Sequence, residues 1–216
     1  MWKRRGPPTL QLAPEPGSEP DPLVDLARRA RDGDAAAVHA LLVAVIPSLL
    51  RVARQILGPG HPEVNDVTQE AACGVLAGLP RFREECTLLH FACRIAVLTS
   101  MNARRRERSR AVKARGLSEL SHFVAENPPT PEQLLLGQRA AEVIRELLAS
   151  LPKAQAEVLG LHHVVGLTAA EIAGVTGAPL ETVRSRLRLG RQALQQRVQC
   201  DQRLLEAVGM NDDQPR

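Results

Sequence analysis

Apolar residues recur every three or four positions through much of this chain, which is the spacing of one face of an α-helix. A first helix is predicted from about Leu23, with Gly33 as its stop. A longer apolar-periodic segment begins at Ala35, where Pro47 marks a kink or the start of a new turn. Ahead of these helices, residues 1–22 hold six prolines and almost no apolar periodicity, so we expect a disordered tail.

Two further helices complete the N-terminal half. The GPGHP stretch from Gly58 to Pro62 breaks the apolar pattern. A third helix is predicted from about Glu63 to Ala77, ended by Gly78-Leu79-Pro80, and a fourth from about Leu88 to Arg106. These four helices can bury one another as a compact bundle, which we assign to residues 23–110.

A linker separates this bundle from a second helical unit. The prolines of ENPPTPEQ, residues Glu126 to Gln133, deny both helix and strand, so we place a flexible linker at residues 111–133. Helical pattern resumes at Leu134 and runs to about Ser150. The next helix is predicted to open at Pro152 and close at Gly166. The second unit covers residues 134–200, and residues 201–216 form a tail.

A helix start is encoded at Thr168. Thr168 and Glu171 have the spacing of a capping box, in which each side chain binds one of the unpaired backbone N–H groups at the start of a helix. Leu167 and Ile172 flank this box where a hydrophobic staple packs. The helix that begins here is short, because Gly177 supplies a sharp turn.

After this turn, Pro179 opens a helix that contains the run ETVRSRLRLGRQAL. Its apolar stripe consists of Val183, Leu187, Gly190 and Leu194, and its other faces carry arginines. A short helix, a glycine turn and a basic second helix form the pattern of a helix-turn-helix, in which the second helix enters the major groove of DNA. Taken alone, the same run is also compatible with an ordinary basic surface helix.

Composition supports an all-α fold. Of the 216 residues, 44% are apolar but only 2% are aromatic, and tyrosine is absent, whereas sheets favour aromatic residues. The net charge of +4 is unevenly distributed. A basic run stands at Arg104, Arg105, Arg106, Arg108, Arg110, Lys113 and Arg115. A second basic cluster opens the chain, and the segment between Glu119 and Glu146 is mostly acidic, so we expect two contacts with polyanions.

The expected location is the cytoplasm. We expect no direct membrane insertion, because we identify no stretch that approaches the ~20 apolar residues of a membrane span and no apolar signal core after the N-terminus. The four cysteines show no paired C-x-x-C spacing, which in a reducing compartment favours buried thiols over disulfides.

The C-terminal unit contains the run LPKAQAEVLGLHHVVGLTAAEIAGVTGAPLETVRSRLRLGRQALQQRV. This run resembles region four, the promoter-recognition domain of the extracytoplasmic-function (ECF) sigma factors of bacterial RNA polymerase. The N-terminal unit resembles region two in NDVTQEA, from Asn65 to Ala71, and in RFREECTLLHFACRIAVLTSMNARRR, from Arg81 to Arg106. The resemblance covers roughly residues 23 to 198 and implies two small helical domains, a four-helix bundle and a helix-turn-helix.

The resemblance also implies partners and site residues. Core polymerase would be bound by Asp66, Gln69 and Glu70. The upstream (minus-35) promoter element would be read by Thr182, Arg184, Ser185, Arg186 and Arg188. The melted minus-10 element would be held by Arg83, Phe91, Arg94, Asn102, Arg104, Arg105 and Arg106, with the loop from Pro80 to Thr87 forming a pocket for an extruded base. Members of the family are usually held inactive by an anti-sigma partner, which is implied here as well.

Region two departs from the family pattern. Phe91 stands where the family has Trp, Leu98 where it has Asn, and Ala71 and Ala72 where an aromatic residue commonly follows. Base–aromatic stacking is worth roughly 1–3 kcal/mol per base. The departures therefore predict either weaker promoter melting or an unusual promoter choice.

Two other functions remain open at the level of sequence. Cys86, His90 and Cys93 recur at helical spacing, as a metal or redox sensor would require, but a closed zinc site needs a fourth ligand and none follows, so we assign no metal. A free-standing DNA-binding regulator would use the helix-turn-helix but would leave the first hundred residues without a role. No phosphate loop or catalytic dyad is present in the sequence, so we expect neither an enzyme nor a cofactor.

Overall fold

The computed structural model describes residues 22–115, 145–146 and 148–200 of the chain. Within these ranges the regular elements are all helical, with no β-strand. The prediction of an all-α fold is confirmed. The predicted N-terminal tail, most of the predicted linker and the C-terminal tail lie outside the described residues.

The N-terminal helical unit consists of four helices, as the apolar pattern predicts. Their bounds are α1 (Pro22–Arg31), α2 (Ala35–Leu57), α3 (Val64–Gly78) and α4 (Leu88–Arg115), and a 3-10 turn covers Leu79–Arg81. α4 is longer than predicted and extends into the segment assigned to the linker. The extension is rich in arginine, alanine and lysine, which are strong helix formers.

α2 supplies the centre of the core. Its buried stripe is Leu41, Val45, Leu49, Val52 and Ile56, each at most 3% exposed. This stripe packs in one cluster with Ala71 and Val75 of α3 and with Ala92 and Val97 of α4. Because burial of each such side chain contributes roughly 1.5–3 kcal/mol, the stripe is a main source of the stability of this unit.

Pro47 does not end α2, which is one continuous helix from Ala35 to Leu57. A proline removes one backbone hydrogen bond and leaves the carbonyl four residues earlier without its partner. Here Pro47 and Val43 both lie on the exposed side of the helix, where water can bind that carbonyl.

α2 is also long and apolar enough to cross a membrane, with 23 residues and a mean hydropathy of 2.0 over its most apolar window. Our expectation that no stretch reaches this length and composition is wrong. Alanines at exposed positions, such as Ala36 and Ala44, raise the mean hydropathy beyond what the core stripe alone would give. A core helix meets the same criteria, and the stripe of α2 packs against α3 and α4.

The C-terminal helical unit begins with helical residues at 145–146 and 148–150. It continues with α5 (Lys153–Gly160), a π-helical turn (Leu161–Val165), α6 (Ala169–Thr176) and α7 (Leu180–Cys200). The single helix predicted from Pro152 to Gly166 therefore widens in its last turn. Gly166 ends this turn in the left-handed region, at φ 90°, which glycine adopts without strain.

The two units pack directly on each other through α4 and α5. Gly160 of α5 lies so close to α4 that a Cβ atom there would approach Met101 Cε and Val97 Cγ1 to 2.8 Å. Buried side chains from both units belong to one continuous apolar cluster. The surface of α4 that faces α5 is therefore covered by the C-terminal unit.

Candidate nucleic-acid and polymerase interface

The start of α6 is fixed by the predicted capping box. Thr168 Oγ1 accepts a hydrogen bond from Glu171 N at 3.3 Å, and Glu171 Oε2 accepts one from Thr168 N at 2.7 Å. Leu167 and Ile172 are both buried beside the box, as the staple predicts. These contacts set the direction in which α6 leaves the preceding turn.

The turn between α6 and α7 is also as predicted. Gly177 has φ 67° and its N–H donates to Ala173 O at 2.9 Å, which closes the last turn of α6. α7 is then docked by its apolar stripe, in which Val183 is 0% exposed and Leu187 7%. Gly190 continues the stripe, and a Cβ atom there would meet Leu159 Cδ1 at 2.6 Å. α7 therefore lies flush on α5.

The opposite side of α7 carries the predicted minus-35 side chains. Arg184 and Arg188 are exposed, while Thr182, Ser185 and Arg186 are half-buried. Arg184 donates to Glu181 one turn earlier, an exposed pair that DNA can replace. An open groove of about 400 Å³ runs along the same helix, lined by Arg184, Leu187, Arg188, Arg191, Gln192 and Gln195. The arrangement presents three guanidinium groups beside one helix face, which suits a phosphate backbone and base edges.

The predicted polymerase-binding residues share one exposed side of α3. Asp66, Gln69 and Glu70 are all exposed, while the intervening Val67 and Thr68 are buried. Glu70 Oε2 accepts a hydrogen bond from Arg106 Nη2 at 3.2 Å. Thus a side chain predicted for polymerase and one predicted for minus-10 DNA pair with each other in this structure.

The remaining minus-10 side chains differ in their accessibility. Arg83 is exposed and Asn102 is half-buried. Arg104 is only 8% exposed, and its Nη1 donates to Glu107 Oε2 at 3.0 Å. In this arrangement Arg104 therefore supports α4 from within the bundle rather than facing solvent.

Arg94 and Arg105, in contrast, contact the C-terminal unit. Arg94 Nε donates to Glu157 Oε1 at 2.7 Å, and its Nη1 donates to Val175 O at 2.9 Å. Arg105 Nη2 donates to Leu151 O at 3.0 Å. Two of the arginines predicted to bind the minus-10 strand thus form hydrogen bonds with the C-terminal unit instead.

The loop between the 3-10 turn and α4 is attached to α4 at both of its ends. The rings of Phe82 and Phe91 lie 5.2 Å apart between centroids, tilted by 44°. Thr87 Oγ1 accepts a hydrogen bond from His90 N at 3.2 Å and so caps α4. Phe91, which the resemblance assigns to the minus-10 element, is half-buried and its ring contacts that of Phe82.

The cysteines do not form a metal site among the described residues. No group of three His, Cys, Asp or Glu side chains there is placed to hold an ion. Burial raises the pKa of the Cys93 thiol to about 11, and it also raises the pKa of Cys86. Burial therefore disfavours the thiolate, which is the reactive form of cysteine, at both positions.

Comparison with known proteins identifies the family. The family model described as Sigma-70 region 2 matches residues 41–110, and that described as Sigma-70, region 4 matches residues 141–194. The chain is 34% identical over 166 residues to the ECF RNA polymerase sigma factor ShbA of Streptomyces griseus, across 74% of this chain and 86% of ShbA. The chain belongs to the ECF sigma factors of the sigma-70 family. Its N-terminal helical unit contains the matched region two, and its C-terminal helical unit contains the matched region four.

Other ECF sigma factors are similar over comparable lengths. SigD of Mycobacterium tuberculosis is 31% identical over 181 residues, covering 82% of this chain and 84% of SigD. A chain of the solved structure of CnrH in complex with the cytosolic domain of CnrY matches with a TM-score of 0.50 and 21% identity, over 82% of this chain and 97% of the matched chain. This last likeness concerns the fold alone.

Sequence reasoning missed the partners of several arginines in this sigma factor. Glu157 pairs with Arg94 from 63 positions away, and Glu84 pairs with Arg28 from 56 positions away. Neither glutamate stands out locally, because single acidic residues occur throughout the chain. No periodic or spacing signal would have found them.

Proposed function

We propose that this ECF sigma factor binds core RNA polymerase in the cytoplasm and directs promoter-specific initiation of transcription. It contributes binding and positioning, while the polymerase supplies the catalysis, so we assign it neither an enzymatic activity nor a cofactor. The observation that carries the proposal is the geometry of α6 and α7. A capped short helix and a left-handed glycine lead into a helix whose apolar stripe is buried and whose arginines face outward.

Region four, assigned to residues 134–200, reads the minus-35 element through α7. Arg186 and its neighbours offer donors in the fork geometry that binds guanine O6 and N7, and each such pair discriminates against a wrong base by about 1–3 kcal/mol. Thr182 and Ser185 offer hydroxyl groups to phosphate or base edges. Val183 and Leu187 hold the helix in place and do not read DNA.

Region two, assigned to residues 23–110, binds the polymerase and the melted minus-10 strand. The exposed side of α3 presents Asp66, Gln69 and Glu70 to a basic surface of the polymerase. The basic side chains of α4 bind the phosphates of the unpaired strand. The Glu70–Arg106 pair links the two surfaces, so that polymerase binding to Glu70 leaves Arg106 available to DNA.

An anti-sigma factor is the proposed regulator. CnrH, whose fold this chain shares, was solved in complex with the cytosolic domain of CnrY. We infer that a partner protein likewise binds this sigma factor and keeps it from the polymerase. Release of the sigma factor from that partner would then allow transcription to begin.

In vitro transcription with core polymerase tests the proposal. Arg186→Ala should lower transcription from promoters that depend on their minus-35 element while binding to core polymerase is retained. Asp66→Arg should abolish binding to core polymerase, while binding to a DNA fragment that carries only the minus-35 element is retained. Arg54→Ala and Asp32→Arg make the same changes of charge at exposed positions outside both proposed surfaces, and they serve as matched controls. A protein that footprints promoters equally well with and without core polymerase would instead be a free-standing regulator.

A further inference from the structure

The loop from Phe82 to Thr87 contains an unusual backbone conformation. Glu84 has φ 62°, and it is the one non-glycine residue with a positive φ among the described residues. Side chains other than glycine, asparagine and aspartate rarely adopt this left-handed region, because their Cβ atom crowds the backbone. A glutamate stays there when its surroundings hold it.

Glu84 is held by a side chain from another helix. Arg28 of α1 donates from Nε to Glu84 Oε1 at 2.9 Å and from Nη2 to Glu84 Oε2 at 2.6 Å. Two parallel hydrogen bonds fix both the distance and the orientation of a carboxylate, which a single ion contact does not. Arg28 also holds the pKa of the Glu84 carboxyl below its ordinary value, so the pair stays ionised at neutral pH.

The pair completes the anchoring of the loop. Phe82 is fixed at one end by Phe91, and Thr87 is fixed at the other by capping α4. Glu84 lies between these two anchors, where its contact with Arg28 forms a tie between the loop and α1. Without it, Glu84 would lose the side-chain contact that holds it in the left-handed conformation.

α1 lies outside the matched part of region two. The family model begins at residue 41, whereas α1 ends at Arg31. The tie therefore joins the loop, which lies inside the matched region, to a helix outside it. It reaches the loop that the resemblance assigns to the extruded minus-10 base.

We propose that the Arg28–Glu84 pair holds the loop from Phe82 to Thr87 in the conformation that accepts an unpaired minus-10 base, which makes α1 a determinant of promoter choice. This inference rests on the proposed function of region two. Arg28 acts as a positioning residue, since it contacts Glu84 and not DNA. It adjusts the shape of the pocket and leaves the charge of α4 unchanged.

Amide hydrogen exchange on the free protein tests the tie without reference to transcription. Arg28→Ala should speed exchange of the loop amides by about threefold or more, as expected when a bidentate surface pair is lost, while amides of α2 and α3 remain protected. Arg28→Lys should give an intermediate rate, because one ammonium cannot bind both oxygens. Arg29→Ala is the matched control, since Arg29 lies on the same helix and pairs with Asp34 instead. Unchanged loop exchange in Arg28→Ala would overturn the tie.

Transcription from a library of promoters that vary only in the minus-10 element tests the consequence. Arg28→Ala and Glu84→Ala should reorder the preferred minus-10 bases in the same way, and the double variant should match either single variant. Arg28→Glu combined with Glu84→Arg should restore part of the original order. An unchanged order, a uniform loss at all promoters, or additive effects of the two substitutions would each contradict the role in promoter choice.

The two experiments separate this inference from the proposed function. If the wild-type protein gives no promoter-dependent transcription with core polymerase, the proposed function fails, and the exchange rates still decide the tie. If transcription is promoter-dependent but Arg28→Ala leaves the order of minus-10 preferences unchanged, the sigma function stands and the role of α1 is wrong.

Discussion

Arg94 in region two and Glu157 in region four form an ion pair, with Arg94 Nε 2.7 Å from Glu157 Oε1. The Glu157 side chain is 12% exposed and that of Arg94 31%, so the pair is largely shielded from water. Arg94 also donates to Val175 O, near the C-terminal end of α6, where the helix dipole favours a cation. The same arginine cannot bind the minus-10 strand while it makes these contacts, so the packing of region four covers part of the proposed DNA surface.

Removal of Glu157 should weaken the folded protein. Glu157→Ala leaves the shielded guanidinium without its carboxylate, which we expect to cost about 1–3 kcal/mol in the free energy of unfolding. Urea unfolding followed by circular dichroism measures this change. Arg94→Ala, combined with Glu157→Ala in a double-mutant cycle, should show coupling between the two positions.

The exposed pair between Arg110 and Glu63 is a suitable control for Glu157. These side chains are 3.4 Å apart and exposed by 72% and 36%. Glu63→Ala should change the free energy of unfolding by less than about 1 kcal/mol. Equal losses from Glu63→Ala and Glu157→Ala would mean that the shielding of the Arg94–Glu157 pair has no energetic consequence.

Gly190→Ala should destabilise region four although alanine favours helices. The new methyl group would lie 2.6 Å from Leu159 Cδ1, and Leu159 is fully buried, so crowding of about 1–3 kcal/mol should exceed the ~1 kcal/mol gained in helix propensity. Gly174→Ala is the matched control on α6, where the nearest atom, Glu85 O, is at 3.4 Å. Thermal unfolding should place Gly190→Ala below the wild type and Gly174→Ala at or above it. The opposite order would show that α7 does not lie flush on α5.

The N-cap of α2 should make stability depend on pH in the acidic range. Hydrogen bonds from Arg29 and from the Ala37 N–H lower the pKa of the Asp34 carboxyl. The stabilisation is fully present above the unfolded-state pKa of about 4 and is lost as the pH falls through the lower folded-state value. Asp34→Asn keeps a capping oxygen without the charge, so its melting temperature should fall less steeply than that of the wild type below about pH 4.

Asp32→Asn serves as the control for that measurement. Asp32 is an adjacent carboxylate whose side chain is 71% exposed, and it does not cap α2. Its replacement should leave the acidic slope of the melting temperature close to that of the wild type. A slope that is the same in Asp34→Asn and in the wild type would contradict the assigned role of Asp34.

The cysteines should react in the order of their exposure. Cys73 is exposed, whereas Cys93 is 1% exposed and its thiol pKa is raised to about 11 by burial. Alkylation of the native protein at about pH 8, followed by mass spectrometry of the peptides, should therefore label Cys73 first and Cys93 only after unfolding. Comparable labelling of both thiols in the native state would mean that the core around Cys93 opens readily.

The features that the sequence predicted are those determined by neighbouring residues. The capping box joins Thr168 to Glu171, the turn depends on Gly177, and the stripe of α7 repeats every three or four positions. Such signals lie within one or two helical turns, so a single sequence contains all the information they need. The same reasoning placed Asp66 and Glu70 on one exposed side of α3, and both are exposed there.

The contacts between distant segments could not be predicted in this way. Arg94 was assigned to DNA by its position in the region-two pattern, and nothing near it in sequence indicates that Glu157 would occupy it. The tie between Arg28 and Glu84 depends on the angle at which α1 crosses the bundle, which is set by packing. The π-helical turn at Leu161–Val165 is a third case, since its sequence has the same period as an ordinary helix.

Substitution of Gly160 offers a way to change how the two regions pack on each other. Its missing side chain lets α5 rest on Val97 and Met101, so a bulkier residue there would act as a wedge between region two and region four. Such a wedge would touch none of the side chains proposed to bind DNA or polymerase. It would give a form of the protein in which the minus-10 surface of α4 is open from the outset, and thereby a direct means to study promoter melting apart from the separation of the two regions.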